Sequence, residues 1–372
     1  MELERRRGTV ARVGMAGRNN DIFGIDRRKA IFTGIAALAL AVAAVLGIGQ
    51  ITSLHHMVRA LGRGDHSWFP ACLAGALLAY VGYIAAYRDV ARFDGGPALG
   101  VWMTVRIVVI GFGAVLIGSS AGTLSIDYWA LHRAGEPSKR AIRRVLAVGS
   151  LQWFVLGILA CLAAAVTLAG SWRAPLEMEV AWIVVVPACV IAAAWVSSPR
   201  RSDRLTSPPP GEVELNRNPR TWVRWLGHGG RAVLANSVGG VVIVRRLLGR
   251  PFAHPAALLG FPLYWAGDVL ILYAALRAFG VHPHPAPLVL AYATGFAITA
   301  LPLPAGGSGG VEAGLTFALN SIGIAVAPAL LATLVYRAFT LWLPIGPALA
   351  LLPQVRTLDR ELPLVPRASP AV

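Results

Sequence analysis

Residues 145–170 read VLAVGSLQWFVLGILACLAAAVTLAG and contain no charged side chain. A helix rises about 1.5 Å per residue, so this run is long enough to cross the roughly 30 Å hydrocarbon core of a bilayer. Long apolar runs of this kind lie at 31–53, 69–87, 145–170, 180–196, 256–276 and 327–352. The sequence therefore predicts an all-α, polytopic helical membrane protein with six full spans.

The composition excludes most other classes of protein. Of the 372 residues, 56% are hydrophobic and 14% are charged, whereas a soluble domain carries about 25% charged residues. A soluble enzyme, a secreted disulfide scaffold and a disordered chain are excluded. The net charge of +16 does not indicate a nucleic-acid partner, because the basic residues lie between apolar runs. The chain has no P-loop, Ser/His/Asp set or zinc signature, so we expect no catalytic site, metal or cofactor.

Two further regions are apolar but interrupted. Region 99–122 carries Arg106 at its centre, and region 287–323 contains the stretch LPLPAGGSGG at 301–310. Proline and glycine break helices, and irregular backbone at membrane depth survives only where it is buried in protein or lines a cavity. We therefore predict two re-entrant broken-helix regions, which brings the number of hydrophobic elements to eight.

The charge distribution favours the re-entrant arrangement. With it, the basic segments 1–30, 121–144, 197–250 and 353–372 all face the cytoplasm, as the positive-inside rule requires. If all eight elements crossed the membrane, 121–144 and 197–250 would face outward. The predicted organisation is a cytoplasmic N-terminal segment, a membrane domain at 31–352 that includes the loop 197–250, and a cytoplasmic tail.

One stretch of the loop 197–250 has two possible interpretations. Residues 226–248 are apolar enough to form a further span, but they include Arg231, Asn236, Arg245 and Arg246. Charges at these positions favour an amphipathic helix that lies in the membrane interface.

The predicted topology contains an inverted repeat. Each half has two spans, one re-entrant region and a third span, and the two re-entrant regions enter from opposite sides. A constant offset of 188 residues pairs Gly118 with Gly306, Gly122 with Gly310, Leu131 with Leu319, Gly135 with Gly323 and Ala141 with Ala329. Inverted repeats with broken helices are a transporter architecture, so we predict a four-plus-four repeat.

Four ionisable residues fall inside the predicted membrane elements: Arg337, Asp268, Glu312 and Arg106. Such residues are expensive in lipid and usually mark a function. Arg337 lies roughly 15 Å into the last span, if the helix is regular. Two interpretations stay open. The acids and Arg337 form an internal ion pair that locks helices together, or the four residues line a polar cavity in which arginine binds an anionic headgroup.

A glycine run precedes one of these acids. Gly306, Gly307, Gly309 and Gly310 lead into a helical piece that carries Glu312. Glycines allow backbone N–H groups to approach a ligand, and a helix N-terminus favours an anion. The run is therefore a candidate substrate-binding segment, with a tight packed turn as the alternative. Glu312 could equally cap the start of its own helix.

The C-terminal third resembles a known family in three stretches. These are LRAFGV at 276–281, PLPAGGSGGVEAGL at 302–315 and SIGIAVAPALLATLVYRAFTLWLP at 321–344. They resemble the lysylphosphatidylglycerol synthase transmembrane-region family, a flippase-like membrane domain. In the family a proline–glycine run ends in an acid, here Glu312. A Tyr-Arg pair follows about 25 residues later, which adds Tyr336 to the candidate site. The sequence departs from the family pattern at Ala305 and Gly310.

The resemblance implies a lipid-related function. Synthases of the family join this domain to a cytoplasmic transferase, for which we expect no room after the last span, so a stand-alone, non-enzymatic form is expected. Other stand-alone relatives are linked to polyprenyl, glycolipid or hopanoid pathways. We expect a bacterial cytoplasmic-membrane protein that moves an anionic phospholipid or polyprenyl-linked lipid between leaflets.

Two other functions remain alternatives. One is a non-transporting partner or scaffold of a lipid-modifying enzyme. The other is a membrane glycosyltransferase, which is disfavoured because no loop is large enough for a sugar-nucleotide domain.

Overall fold

The computed structural model describes residues 62, 64–118, 120–170, 172, 174–206, 222–300 and 309–367. The predicted span 31–53, Gly306 and Gly307 lie outside these residues. The helices of seven or more residues in the described part are α1 Phe69–Arg92, α2 Val101–Gly118, α3 Ser120–Arg133, α4 Ser138–Ala169, α5 Leu176–Val196, α6 Pro199–Thr206, α7 Trp222–Leu248, α8 Pro255–Ala278, α9 Pro285–Phe296, α10 Gly310–Ser321, α11 Val326–Arg337, α12 Ile345–Leu351 and α13 Val355–Glu361. No β-strand occurs in this part of the chain, so the predicted all-α class is confirmed.

Five helical stretches within the described ranges are long and apolar enough to cross a membrane. They are His66–Gly95, Ser138–Ala169, Leu176–Val196, Pro255–Ala278 and Val326–Leu364. Each contains one of the predicted spans other than 31–53, and they follow the predicted order. The chain is therefore a polytopic membrane protein.

The last of these stretches is not one regular helix. It ends its α-helical part at Arg337 and continues through a π-helical turn, Ala338–Trp342, in which the Leu343 N–H donates to the Ala338 carbonyl at 2.8 Å. Pro344 follows directly and has no N–H to donate to the preceding turn. The single span predicted at 327–352 is thus broken immediately after Arg337, beside the candidate site.

Helices α1 and α8 form the closest helix pair, and glycine is the reason. They run antiparallel, with Gly75 against Gly267 and Gly82 against Gly260. A Cβ atom at Gly82 would lie 2.4 Å from the Gly260 carbonyl oxygen, so only glycine permits this approach. Lipid supplies no hydrophobic drive between helices, and small residues that bring backbones together replace it. The two glycines in each helix are seven residues apart, which keeps them on one face.

The first interrupted region folds back on itself. Helices α2 and α3 pack antiparallel, with the Thr123 hydroxyl donating to the Gly111 carbonyl at 3.0 Å. Gly122 lies against Ala114, whose carbonyl oxygen would be 2.2 Å from an added Cβ. This hairpin, 101–133, extends beyond the predicted region 99–122. The prediction that 121–144 is a cytoplasmic loop is wrong for its first part, because residues 121–133 belong to the packed helix α3.

The second interrupted region also contains two short helices in contact. Gly295 near the end of α9 packs against Gly314 and Leu315 of α10, so close that a Cβ at Gly295 would be 2.6 Å from the Leu315 Cα. Residues 301–308, the centre of the glycine–proline run, lie between these helices in sequence and outside the described part.

The two hairpins end in the same turn. Gly135 and Gly323 follow them with φ angles of +89° and +93°, a left-handed conformation that favours glycine. The Gly135 N–H donates to the His132 carbonyl, and the next N–H donates to the carbonyl of Leu131. The same two bonds recur 188 residues later, to the carbonyls of Asn320 and Leu319. The weak sequence offset therefore corresponds to a repeated structure.

The contacts of α1 and α8 agree with the inverted sense of this repeat. Both helices have 24 residues and begin the hairpin-containing part of their half. Gly75 and Gly82 in one helix correspond to Gly260 and Gly267 in the other. Because each glycine contacts the non-equivalent glycine of its partner, the pair is related by an approximate two-fold axis, as an inverted repeat requires.

Helix α7 is a single 27-residue helix in the region 226–248 whose placement was ambiguous. It packs against the first turns of α4, with Gly239 beside Arg143 and Gly240 beside Leu146. It is not among the helices apolar enough to count as spans.

Candidate functional site

A cavity of about 520 Å³ lies between the two halves of the molecule. Both halves supply its wall, through α1 to α4 on one side and α8 and α11 on the other. Most of the lining is apolar. The polar lining side chains are Tyr80, Tyr83, Thr123, Ser150, Gln152, Tyr264, Asp268, Thr299, Tyr336, Arg337 and Thr340. Ligand sites are typically apolar hollows with a few polar groups, and this volume falls in their usual range.

Asp268 of α8 is held in this wall by two tyrosines. The Tyr292 hydroxyl lies 2.7 Å and the Tyr336 hydroxyl 3.2 Å from Asp268 Oδ2, and the two hydroxyls are 3.2 Å apart. Asp268 is 5% exposed. Two donors on one oxygen stabilise a charged carboxylate, and a buried polar group needs such partners. The predicted candidates Asp268 and Tyr336 are therefore in direct contact.

Arg337 of α11 is paired with Glu312 of α10. The guanidinium Nε donates to Glu312 Oε1 at 3.0 Å, and both side chains are buried. Glu312 Oε2 accepts the N–H of Gly309 at 2.6 Å and so caps the start of α10. Both sequence-level interpretations of Glu312, the ion-pair partner and the helix cap, are realised at once. Its two oxygens tie the start of α10 to α11.

The three charged groups leave the site with one acid in excess. Arg337 and Asp268 both line the cavity, and Glu312 adjoins it through Arg337. One guanidinium faces two carboxyl groups, and two like charges cannot both remain ionised cheaply at low dielectric. The arrangement favours the binding of a proton or another positive group alongside any anion at Arg337.

The glycine run contributes structure that the described part shows only at its end. Gly309 has a φ of +84° and precedes α10, and Gly310 is the first residue of that helix. The helix N-terminus, which the sequence suggested for an anionic ligand, is occupied by the carboxylate of Glu312.

Arg106 does not join the cavity. Its Nη2 lies 2.5 Å from Glu361 Oε2 of α13, and its guanidinium is 6.0 Å from the ring of Trp102. The sequence grouped Arg106 with Arg337 because both are buried in membrane elements. The structure separates them, and Arg106 instead connects α2 to the C-terminal segment.

Asp127 is a buried acid that sequence reasoning missed. It lies on α3 with 1% exposure, and the hydroxyls of Tyr83 and Tyr87 lie 3.5 Å from its Oδ2 and its carbonyl oxygen. Its Oδ1 has no partner among the described residues. The error came from ending the interrupted region at residue 122, which assigned Asp127 to a loop. The tyrosines of α1, spaced by three and four residues from Tyr80 to Tyr87, were the available signal for a polar helix face.

Comparison with protein families gives one match. The family model described as the lysylphosphatidylglycerol synthase TM region matches residues 31–348. A comparison with curated protein sequences gives no match.

Proposed function

Because the chain belongs to the lysylphosphatidylglycerol synthase transmembrane-region family, we propose that it moves a lipid between the leaflets of a membrane. The family indicates a lipid-related role in the bilayer. The cavity between the two inverted halves, with Asp268 and Arg337 in its wall, is the observation that carries the proposal. The proposed cargo is a phospholipid or polyprenyl-linked lipid with an anionic headgroup, and the protein performs no chemical conversion of it.

The size of the cavity suggests which part of the lipid it accommodates. About 520 Å³ suits a headgroup, so the acyl chains remain outside among the helices and the surrounding lipid. Alternating exposure of the cavity to each side would then follow from rocking one half against the other. The antiparallel α1–α8 pair, with its backbone contacts at Gly75 and Gly82, is the proposed pivot.

Arg337 is the proposed phosphate ligand. Arginine is planar and stays charged, and its fork matches phosphate oxygens. An entering phosphate has to share or replace Glu312, and protonation of Glu312 or Asp268 would leave the arginine charge for the lipid. Binding of the headgroup is therefore proposed to accompany proton uptake, so transport should become faster as the pH falls.

The basic end of the molecule, defined by Arg92, Arg140, Arg143, Arg144 and Arg246, is proposed to face the bacterial cytoplasm. Basic residues on one side of the spans set orientation. Single cysteines at Arg201 and at His282, in a Cys-free variant, should react oppositely with an impermeant thiol reagent on whole cells. Labelling at position 201 from outside would contradict this orientation.

Lipid movement in liposomes tests the proposal. The purified full chain is reconstituted with nitrobenzoxadiazole-labelled phosphatidylglycerol, and dithionite quenches the label of the outer leaflet. We expect quenching to extend to the inner-leaflet label with the wild-type protein and not with Arg337→Gln/Glu312→Gln. Arg277→Gln, at the opposite end beneath Trp68, is the matched control for loss of an arginine.

A folded wild-type protein that leaves the inner-leaflet label protected would contradict the proposal. It would favour the alternative role, a membrane scaffold for a lipid-modifying enzyme.

A further inference from the structure

A second cavity, of about 250 Å³, opens at the basic end, and the proposed transport does not use it. Arg140, Arg143 and Arg144 of α4 and Arg246 of α7 line it, together with Asp94 and Ser202. It shares no lining residue with the central cavity. We propose that this arginine pocket binds a phosphate group, carried by a membrane lipid or by a soluble phosphate ester.

The charges of the pocket call for an anion. Four guanidinium groups meet there, and the neighbouring carboxylates are Asp94, 3.6 Å from Arg246, and Glu136, 3.5 Å from Arg144 and 3.7 Å from Arg140. Two positive charges are left over after this pairing. Like charges this close repel one another unless a ligand compensates them, and arginine clusters are the usual receptors for phosphate.

The arginines are not equivalent, and their contacts assign them different tasks. Arg144 is 3% exposed, and its Nη1 donates to the carbonyls of Val90 and Phe93, at 3.1 and 2.5 Å. It therefore secures the turn after α1, in which Asp94 adopts a left-handed conformation with a φ of +53°. Arg144 is a positioning residue of the pocket rather than its main ligand.

Arg143 is the side chain best placed to bind. It has no ion pair among the residues that the structure describes, and its Nε is buried without a hydrogen-bond partner there. A buried donor left without an acceptor is costly, and a phosphate oxygen supplies one. Its stem is confined by Gly239 of α7, where an added Cβ would lie 2.5 Å from the Arg143 Cδ. The arginine is thus held in place before a ligand arrives.

The position of the pocket favours a lipid as the source of the phosphate. Arg140 and Arg143 lie in the first two turns of the spanning helix α4, at the level where headgroups meet the hydrocarbon core. Basic pockets between helices at this level bind anionic headgroups. A soluble phosphate ester has the same chemistry, so the experiment has to separate the two sources.

Native mass spectrometry of the full chain, purified in detergent with phosphatidylglycerol and phosphatidylcholine, tests the proposal. We expect wild-type protein to retain phosphatidylglycerol, and Arg143→Gln/Arg246→Gln to retain it at least about tenfold less, since each charge-assisted hydrogen bond is worth roughly that factor. Arg200→Gln/Arg201→Gln removes the same charge at the same end, outside the pocket, and should retain the lipid. All variants are also made in the Arg337→Gln/Glu312→Gln background, so that lipid in the central cavity does not contribute.

Two further variants keep the test independent of folding. Ser202→Asp places a carboxylate in the pocket and should lower retention, whereas Asp94→Asn removes one and should raise it. Asparagine tolerates the left-handed conformation at position 94. Displacement of the lipid by sn-glycerol 3-phosphate or inorganic phosphate would identify a soluble ester as the ligand, and resistance to both would identify the lipid. Equal retention by Arg143→Gln/Arg246→Gln and wild type, or equal loss in the Arg200/Arg201 control, would overturn the proposal.

Discussion

The two hairpins of the repeat each bury one acid, but they satisfy it in different ways. In α2–α3 the acid is Asp127, which contacts only tyrosine hydroxyls among the described residues. In α9–α10 it is Glu312, which pairs with Arg337 at 3.0 Å and caps its own helix. The hairpins share their terminal glycine turn and differ in this electrostatic contact.

The difference separates the framework of the repeat from its chemistry. The framework, two hairpins and the glycine contacts of α1 with α8, recurs in both halves and needs no charge. The ion pair occurs in one half and borders the cavity that Asp268 and Arg337 line. If the ion pair carries the function, the two hairpins should respond differently to removal of their acids and alike to damage of their turns.

The largest effect is expected from Arg337→Gln alone. It leaves Glu312 buried beside no positive charge, which should destabilise the fold by about 3–5 kcal/mol. Adding Glu312→Gln removes the uncompensated carboxylate and should restore much of the stability, while lipid movement stays lost. The melting temperature in detergent and the liposome assay measure the two quantities. Normal lipid movement by the double variant would reduce Arg337 to a structural ion-pair residue.

Arg337→Lys should keep the fold and lose transport. The ammonium preserves the charge next to Glu312 but cannot form the bidentate contact with a phosphate, so a loss of about tenfold in rate is expected. The rate is measured at matched protein incorporation. Unchanged transport would mean that the site needs only a positive charge.

The glycine turns should respond alike. Alanine at Gly135 or Gly323 enters a left-handed conformation, which costs about 1–2 kcal/mol. The two melting temperatures should therefore fall by similar amounts. Gly149→Ala is the control, because its helical position is open to a Cβ and alanine favours helices. A large loss for only one turn would argue against equivalence of the hairpins.

The smallest effect is expected at Asp127. Its neighbours are hydroxyls, so Asp127→Asn removes a charge without leaving another uncompensated, and the change in stability should stay below about 1 kcal/mol. Thermal unfolding compares it with Glu312→Gln, which leaves Arg337 without that partner. A loss at Asp127 as large as that at Glu312 would show that both hairpins depend on their acids.

Sequence reasoning recovered the spans well and the site in part. Span 145–170 corresponds to α4, and the low content of charge made this prediction secure. The grouping of Asp268, Glu312 and Arg337 followed from their depth alone, and the structure places them together. Arg106 was grouped with them on the same argument and lies elsewhere. Asp127 was missed because polar neighbours make a buried helix resemble a loop.

What the sequence determined by itself is the set of helices and their ends. Apolar length fixes which segments can cross a bilayer, and glycine and proline fix where helices break. Only the tertiary structure decided which charges meet. Arg106 and Glu361 are 255 residues apart, and Tyr336 and Asp268 are 68 apart. Helical periodicity assigns a residue to a face of its helix, but which faces meet depends on close packing between helices distant in the chain, as at Gly82 and Gly260.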